Sequence, residues 1–323
     1  MNIWHEDLVN NLPKPKVDIS VVTCLCNERD NLESFYQRTK KVVDGMGLSY
    51  EIVFVDDGST DDSLAVLKKL AQKDPGIKVI RLSRNFGQHM AMTAGFRYCR
   101  GKRVLWIDSD LQENPEDLPK LMKKMDEGYD IVCGERKNYG VPFLRRISSA
   151  IFFKTFNLFS GLEIPIGIST LRLLSNRVVS QFNILTEHSR FITGLQFWQG
   201  FPHATVEVTH NQRVAGKSKY NLFKMLKLAS DSVLSFTKFP LRIATFLGLV
   251  SALICLAITI YTLIRYVFVG VGINLAAFLN FLIYLMASML FLILGIIGEY
   301  LGRVYVELLN RPLYIISEKI NVD

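Results

Sequence analysis

The segment that decides the fold is 50–61, which reads YEIVFVDDGSTD. Its first half is rich in β-branched and aromatic residues, a composition typical of a strand that is buried on both faces. Its second half holds three aspartates, one glycine and two hydroxyl side chains, which favour a turn or loop over a strand. The segment therefore predicts a buried strand with a polar loop directly after it.

Outward from this segment, strand-like and helix-like stretches alternate. Further strands are predicted over 18–24, 78–82, 103–107 and 130–133, and helices over 30–45, 63–73, 88–100 and 115–128. Such alternation predicts an α/β fold, with a mostly parallel, Rossmann-like sheet that carries helices on both faces. Ligands of these sheets bind beyond the carboxyl ends of the strands, so we expect the chemistry just after each strand.

Polar clusters follow four of the predicted strands. They are Asn27 and Glu28, then Asp56 and Asp57, then Arg84 within SRNFG (83–87), then Asp108, Asp110 and Gln112 within DSDLQ (108–112). The chain has neither a G-x-G-x-x-G fingerprint nor a P-loop motif, which argues against a dinucleotide site or a P-loop enzyme. Carboxylates one residue apart suit a hard divalent cation such as Mg²⁺ beside a diphosphate. We therefore predict a cation and diphosphate site at this edge of the sheet.

Composition narrows the class of protein. The 323 residues are 49% hydrophobic and 21% charged, with a net charge of +8 and five cysteines. The mean hydropathy is +0.21. These values exclude a disordered chain and a disulfide scaffold, and they argue against a purely soluble enzyme. We expect the cysteines to be reduced thiols, and we interpret Cys24 and Cys26 as strand residues rather than metal ligands.

Two uncharged apolar runs, 243–264 and 275–298, dominate the last third of the chain. At about 1.5 Å per helical residue, each spans roughly 33–36 Å, enough to cross a hydrocarbon core of about 30 Å. A linker of ten residues forces a hairpin with both ends on one side, and the flanking Lys and Arg residues predict that this side is cytoplasmic. No signal peptide is evident over 1–17, so we expect the large N-terminal part to stay in the cytosol.

The middle of the chain is strongly basic. Residues 137–242 hold 14 Lys and Arg against 4 Asp and Glu. Within them, 142–161 and 218–240 mix bulky apolar and cationic residues, which predicts amphipathic helices in the headgroup plane. The alternative is a pair of amphipathic helices packed on a soluble domain. The predicted domains are 1–140 for the sheet with its cation and diphosphate site, 141–242 for the basic juxtamembrane part, 243–298 for the two membrane helices, and 299–323 for a cytoplasmic tail.

The order of these motifs resembles that of a known family. Asn27-Glu28, VDDGSTD (55–61), SRNFG, DSDLQ and RVAGKSKY (213–220), followed by two apolar runs, resemble family 2 glycosyltransferases of the GT-A fold. More narrowly, the chain resembles the polyprenyl-phosphate glycosyltransferases, which include bactoprenol glucosyl transferases and dolichyl-phosphate mannose synthases. The resemblance implies inverting transfer of a sugar from a nucleotide-sugar donor to a polyprenyl phosphate at the inner membrane. UDP-glucose and undecaprenyl phosphate are the expected substrates, with Mg²⁺ or Mn²⁺ as cofactor.

The resemblance also implies roles for individual residues. Six residues are implied to bind the nucleotide sugar: Asn27, Glu28, Asp56, Asp57, Arg84 and Asp108. Asp108 and Asp110 are implied to bind the metal ion. Asp110 and Gln112 are implied to lie at the reacting sugar. Because guanidinium and ammonium groups bind phosphate, we expect Arg136, Arg213 and Lys219 to hold the lipid phosphate. The sequence departs from its relatives at Cys26, where a Tyr is common, at 168–172, where many carry an acid, and at the small Ala215.

Several alternatives stay open from the sequence. The sugar could be mannose or a modified pentose, and a processive polysaccharide synthase or a nucleotide-binding scaffold without turnover are rival functions. A nucleic-acid partner is not expected, because the cations adjoin the apolar runs and lack interleaved aromatic residues. Asn280 within the second apolar run predicts self-association into a homo-oligomer.

Overall fold

The computed structural model describes residues 15–136, 153–154, 156–158, 160–188, 190–209, 239–269 and 275–322. The chain divides into two compact units. One unit comprises Met1–Ala229 together with Pro312–Asp323, and the other comprises Ser230–Arg311. Residues after the second unit therefore belong to the first.

The first unit is built on one mixed sheet. Its strands are β1 (Val17–Leu25), β2 (Tyr50–Asp56), β3 (Ile77–Leu82), β4 (Gly101–Trp106), β5 (Ile131–Arg136), β6 (Ile168–Ser175), β7 (His203–Val208) and β8 (Ile316–Ile320). Its helices are α1 (Arg29–Gly45), α2 (Ser63–Lys73), α3 (Gln88–Tyr98), α4 (Leu118–Met125), which follows a 3₁₀ turn at Pro115–Asp117, α5 (Asn176–Phe182) and α6 (Ile192–Trp198). The alternation predicted over the first 136 residues is confirmed.

The strand order is β7-β5-β6-β4-β1-β2-β3-β8. Strands β4, β1, β2 and β3 pair in parallel, so their carboxyl ends lie at one edge. Strand β6 runs antiparallel between β4 and β5, and β5 pairs in parallel with β7. The predicted mostly parallel α/β sheet is confirmed as a GT-A-like fold, with an antiparallel insertion that the alternation did not predict.

Apolar burial holds helices on the sheet. Strand β2 is almost entirely buried, and Phe54 meets Phe35 of α1 edge-on with ring centroids 5.9 Å apart. On α3, a Cβ at Gly95 would come within 2.4 Å of the Val22 side chain, so a glycine is needed for the close helix–sheet contact. This close contact positions the start of α3 at the edge where the parallel strands end.

The C-terminal segment completes the sheet. Strand β8 pairs antiparallel with β3, and the Lys319 ammonium lies 5.0 Å from the ring centroid of Tyr98 on α3. The side-chain amide of Asn321 donates to the carbonyls of Ala71 and Ile77 at 2.9 and 3.0 Å. The sequence pattern predicts only a cytoplasmic tail over 299–323, so strand β8 is a feature that the structure adds.

The second unit is a pair of long helices, α7 (Phe239–Val269) and α8 (Leu275–Leu308), which contact each other. Stretches Leu241–Tyr261 and Phe278–Leu308 are long and apolar enough to cross a membrane, and only 6% of the apolar window in each is buried inside the protein. Both predicted apolar helices are therefore present. Most of the predicted amphipathic segments, 142–161 and 218–240, lies outside the described residues.

Candidate active site

Hydrogen bonds join the four polar clusters at the carboxyl edge into one continuous network. The Asn27 side chain accepts the Thr60 N–H at 2.8 Å, which links the loops after β1 and β2. The Asp57 carboxylate accepts the N–H groups of Phe86 and Gly87 at 2.7 and 2.9 Å, which links the loops after β2 and β3. The Gln88 amide donates to Asp108 at 3.1 Å and so connects the start of α3 to the loop after β4.

Asn27 and Glu28 lie beside the loop after β2 and bind it through their backbones. Asn27 has a positive φ of 60°, a conformation that asparagine tolerates better than most residues. Its N–H donates to the Ser59 hydroxyl at 3.0 Å, and the Glu28 N–H donates to the Ser63 hydroxyl at 3.2 Å. Both residues therefore shape the site through their backbones, in addition to any contact that their side chains make with a ligand.

Asp56 and Asp57 are both buried at the end of β2. Asp56 accepts the Ser59 N–H at 2.8 Å, while its Oδ2 is buried without a hydrogen-bond partner among the described residues. Burial raises the pKa of Asp57, and the two N–H groups that it accepts oppose that rise. A Cβ at Gly58, whose φ is +68°, would lie 2.5 Å from the Arg84 backbone, so the loops after β2 and β3 approach too closely for any larger residue.

Arg84 is exposed at the outer side of this edge. Its guanidinium lies 4.2 Å from the ring centroid of Phe86, and its Nη1 donates to the Asn85 carbonyl at 3.2 Å. Asn85 in turn donates to the Cys26 sulfur at 3.3 Å. Cys26 thus packs against the SRNFG loop, and all five cysteines are free.

The loop after β4 gathers carboxylates. The Thr170 hydroxyl on β6 lies 2.9 Å from both Asp108 Oδ2 and Glu113 Oε2, and the Thr170 N–H donates to Glu113 Oε1 at 3.0 Å. Arg136, at the end of β5, donates to the same Glu113 oxygen at 3.1 Å. The antiparallel strand β6 therefore brings a neutral hydroxyl, rather than an acid, to the centre of this cluster.

Crowding of these carboxylates has an electrostatic consequence. Burial, with the negative charges of Glu113 and Asp110, raises the pKa of Asp108 to about 7. The neighbouring Asp110 accepts the Gln112 N–H at 3.1 Å, which orders the turn. A carboxylate pair short of positive charge is a suitable donor set for a divalent cation. No group of three or more His, Cys, Asp or Glu side chains in the described part of the chain could hold a metal alone.

A buried arginine lies behind the carboxylates. Arg172 on β6 stacks 4.9 Å from the Trp106 ring centroid and donates to Gln196 at 2.7 Å. Burial lowers its pKa, and the negative charges of Glu113 and Asp108 act to raise it. His89, packed edge-on against Phe191, has its pKa lowered to about 4 by burial and by Arg172. His89 is therefore neutral near pH 7.

The site residues predicted from sequence fall into two groups. Those at the strand ends surround one edge: Asn27, Glu28, Asp56, Asp57, Arg84, Asp108, Asp110, Gln112 and Arg136. Arg213 and Lys219 lie outside the described residues, and the ligand roles of all these residues stay predictions. The sequence motifs do not single out Gln88, Glu113 or Thr170, which the structure places in the same network. Glu113 directly follows Gln112, so an acid inside the DSDLQEN loop was the available signal.

Comparison with known proteins identifies the family to which the chain is similar. The sequence model described as glycosyl transferase family 2 matches residues 20–182. An uncharacterized glycosyltransferase of Synechocystis sp. is 36% identical over 303 residues, 94% of this chain and 95% of that protein. A prophage-derived bactoprenol glucosyl transferase of Shigella flexneri is 33% identical over 301 residues, 93% and 97% of the two chains. A mannosyltransferase structure from Pyrobaculum calidifontis, with GDP-Man and Mn²⁺, aligns with a TM-score of 0.47 at 16% identity, covering 69% and 66%.

Proposed function

Because the chain belongs to glycosyl transferase family 2 and is a glycosyltransferase, we propose that it transfers one sugar from a UDP-sugar to a polyprenyl phosphate. UDP-glucose and undecaprenyl phosphate are the proposed substrates. The observation that carries this proposal is the length of the match to the bactoprenol glucosyl transferase. It covers 93% of this chain, so it extends well beyond the sheet into the long apolar helices. A soluble glycosyltransferase would not require that part.

The connectivity of the chain supports a cytoplasmic site at the membrane. The chain leaves the sheet-containing unit before α7 and returns to it as β8 after α8. If α7 and α8 cross a bilayer, both ends of the pair must lie on one side of it. The basic residues that flank the pair then favour the cytoplasmic side, where nucleotide sugars are made available. We accordingly propose an inner-membrane protein with both termini in the cytoplasm.

The donor is proposed to bind at the carboxyl edge. Asn27 and Glu28 with Asp56 and Asp57 would line the nucleoside side, and Arg84 would lie beside the diphosphate. Asp108 and Asp110 fit a divalent cation, Mg²⁺ or Mn²⁺, because they crowd negative charge at one loop and leave other coordination positions to phosphates and water. When bound, such a cation would supply positive charge to the diphosphate as it leaves the sugar.

The acceptor phosphate needs little activation. A phosphate monoester has its second pKa near 6, so it is largely a dianion at neutral pH and is already a nucleophile. In the proposed reaction, an acceptor oxygen forms a bond to the anomeric carbon while the bond from that carbon to the diphosphate oxygen breaks. UDP leaves on the opposite face, and the anomeric configuration inverts. No general base is required.

Positioning two anions is the main task left to the protein. The proposed holders of the acceptor phosphate are Arg136, Arg213 and Lys219. Arg136 is 36% exposed and reaches Glu113 with one nitrogen, so it has further N–H groups to offer an anion. Gln112, in the turn ordered by Asp110, is proposed to contact the donor sugar.

A donor panel tests the proposal. Purified protein in detergent is incubated with undecaprenyl phosphate, Mg²⁺ or Mn²⁺, and one radiolabelled donor at a time: UDP-glucose, GDP-mannose or a UDP-pentose. We expect label in the lipid fraction with UDP-glucose, and none when EDTA is added. Labelled lipid with another donor would change the sugar but keep the class. Label in a high-molecular-weight polymer would indicate a processive synthase instead.

A further inference from the structure

Glu113 is a buried carboxylate that none of the sequence motifs includes. Only 1% of its surface is exposed. Its Oε1 accepts from Arg136 Nη2 at 3.1 Å and from the Thr170 N–H at 3.0 Å, and its Oε2 lies 2.9 Å from the Thr170 hydroxyl. One side chain therefore ties together the loop after β4, the end of β5 and the start of β6.

Arg136 is only partly satisfied by this contact. Its Nε is buried and has no hydrogen-bond partner among the described residues. Burying a guanidinium N–H without a partner costs free energy, which indicates that an acceptor binds at this position. The N–H of Nε and one N–H of Nη2 point the same way, so this pair can receive an oxyanion while the other N–H of Nη2 stays on Glu113.

We propose that Glu113 is a positioning residue. It holds Arg136 for the acceptor phosphate, and the N–H of Thr170 holds its carboxylate in place. This inference rests on the proposed function, in which Arg136 contacts the lipid phosphate. Glu113 itself contacts neither substrate, because its two oxygens are occupied by Arg136 and Thr170.

A carboxylate suits this role better than its amide would. Three donors converge on Glu113, namely Arg136 Nη2, the Thr170 N–H and the Thr170 hydroxyl. Glutamine could keep its oxygen toward the two N–H groups and turn its NH₂ toward the Thr170 hydroxyl, which can accept, so the substitution removes the negative charge rather than a hydrogen bond. In Glu113→Gln, Arg136 would also lose a charge-assisted bond and sample other rotamers.

The test is a double-mutant cycle with Glu113→Gln, Arg136→Gln and the double variant. Transfer to undecaprenyl phosphate is measured over acceptor and donor concentrations. We expect each single variant to raise the acceptor KM about tenfold, with the donor KM within about twofold of wild type. The double variant should be no worse than Arg136→Gln alone, because Glu113 acts through Arg136. Additive losses, or a shift confined to the donor KM, would overturn the proposal.

A matched control lies in the same segment. Glu116 pairs with Arg38 at 2.7 Å on the surface, so Glu116→Gln removes an ion pair without touching the cluster and should leave both KM values unchanged. If wild-type protein transfers nothing to undecaprenyl phosphate, the proposed function fails. The positioning role is then measured by calorimetric binding of inorganic phosphate, which stands in for the acceptor headgroup. The same absence of additivity is expected there, and additivity would refute the role.

Discussion

The parallel strands bury a carboxylate at each end of the sheet, and the two carboxylates differ in the donors and charges around them. At the amino end, Glu51 accepts from the Ser20 hydroxyl and the Arg100 N–H and pairs with the Lys78 ammonium. At the carboxyl end, Asp108 faces Glu113 and Asp110, and its pKa is raised to about 7. The carboxylate at the amino end is matched by donors and a cation, whereas at the carboxyl end Asp108 has like charges beside it and its pKa stays raised although Arg136 pairs with Glu113.

This difference separates structure from function. A buried carboxylate with matched donors and a cation fixes the strands that carry its partners, here β1, β2, β3 and the start of β4. A cluster of carboxylates with too few cations costs stability unless a ligand supplies the charge. The carboxyl end is therefore where we expect a cation and phosphates to bind, and substitutions at the two ends should affect different measurements.

The largest effect on activity is expected from Asp110→Asn at the carboxyl end. Loss of one carboxylate should weaken cation binding and lower the transfer rate by about 100-fold or more. The thermal unfolding midpoint should change little, because the proposed role is in ligand binding. Asp126→Asn is the matched control, since Asp126 pairs with Arg103 on the surface. A large drop in the midpoint for Asp110→Asn would contradict the division between the two ends.

The opposite result is expected from Glu51→Ala. Removing the carboxylate leaves the largely buried Lys78 ammonium and the Arg100 N–H without their partner. Breaking a buried pair in this way costs about 3–5 kcal/mol in the free energy of unfolding. Chemical denaturation should show that loss, while the rate per folded molecule stays near wild type. Glu33→Ala, on an exposed position of α1, should cost almost nothing.

The carboxyl end should also respond to pH. With the pKa of Asp108 near 7, a cation has to displace a proton at lower pH, so its affinity should fall up to about tenfold per unit below pH 7. In the cation-free protein, the pKa of Asp108 is near 3.8 in the unfolded chain and about 7 in the folded one. The free energy of unfolding therefore falls as the pH rises between these two values. Calorimetric titration with Mn²⁺ at pH 6 and pH 8 checks the first trend. Equal affinities in wild type would refute it, and Asp108→Asn should abolish the slope.

A smaller effect is expected from Asn321→Ala in the C-terminal segment. The substitution removes two hydrogen bonds to the carbonyls of Ala71 and Ile77, which lie toward the amino end of β3. The expected cost is about 1–2 kcal/mol in the free energy of unfolding, with unchanged activity per folded molecule. Denaturation curves measure it, and a loss of activity without a loss of stability would show that the segment acts on the site directly.

The local pattern of the first 136 residues was enough to predict β1 to β5 and the helices between them. Each strand there is a compact apolar run that ends in a polar cluster, so both the strands and the polar edge of the sheet could be predicted. Strand β8 could not be predicted, because ISEKI (316–320) is short and follows a long apolar helix. As an edge strand it alternates between half-buried and exposed residues. Its pairing with β3 depends on contacts distant in sequence.

The site was predicted unevenly for a similar reason. Asp108 and Asp110 stand out because their spacing has a chemical meaning. Glu113 and Thr170 are ordinary residues in the sequence, and they matter only because β6 inserts antiparallel beside β4. Asp56 is a different case, since its motif predicts a ligand contact, while the fold buries it and binds one of its oxygens to Ser59, so the predicted contact rests on the other oxygen.

We infer that the carboxyl end needs a cation together with a nucleoside diphosphate. Mn²⁺ binding followed by electron paramagnetic resonance, with and without UDP, tests this most directly. We predict one Mn²⁺ per chain in the presence of UDP, much weaker binding without it, and loss of that site in Asp110→Asn but not in Asp126→Asn. Absence of Mn²⁺ binding to wild-type protein with UDP, or full binding to Asp110→Asn, would contradict the claim.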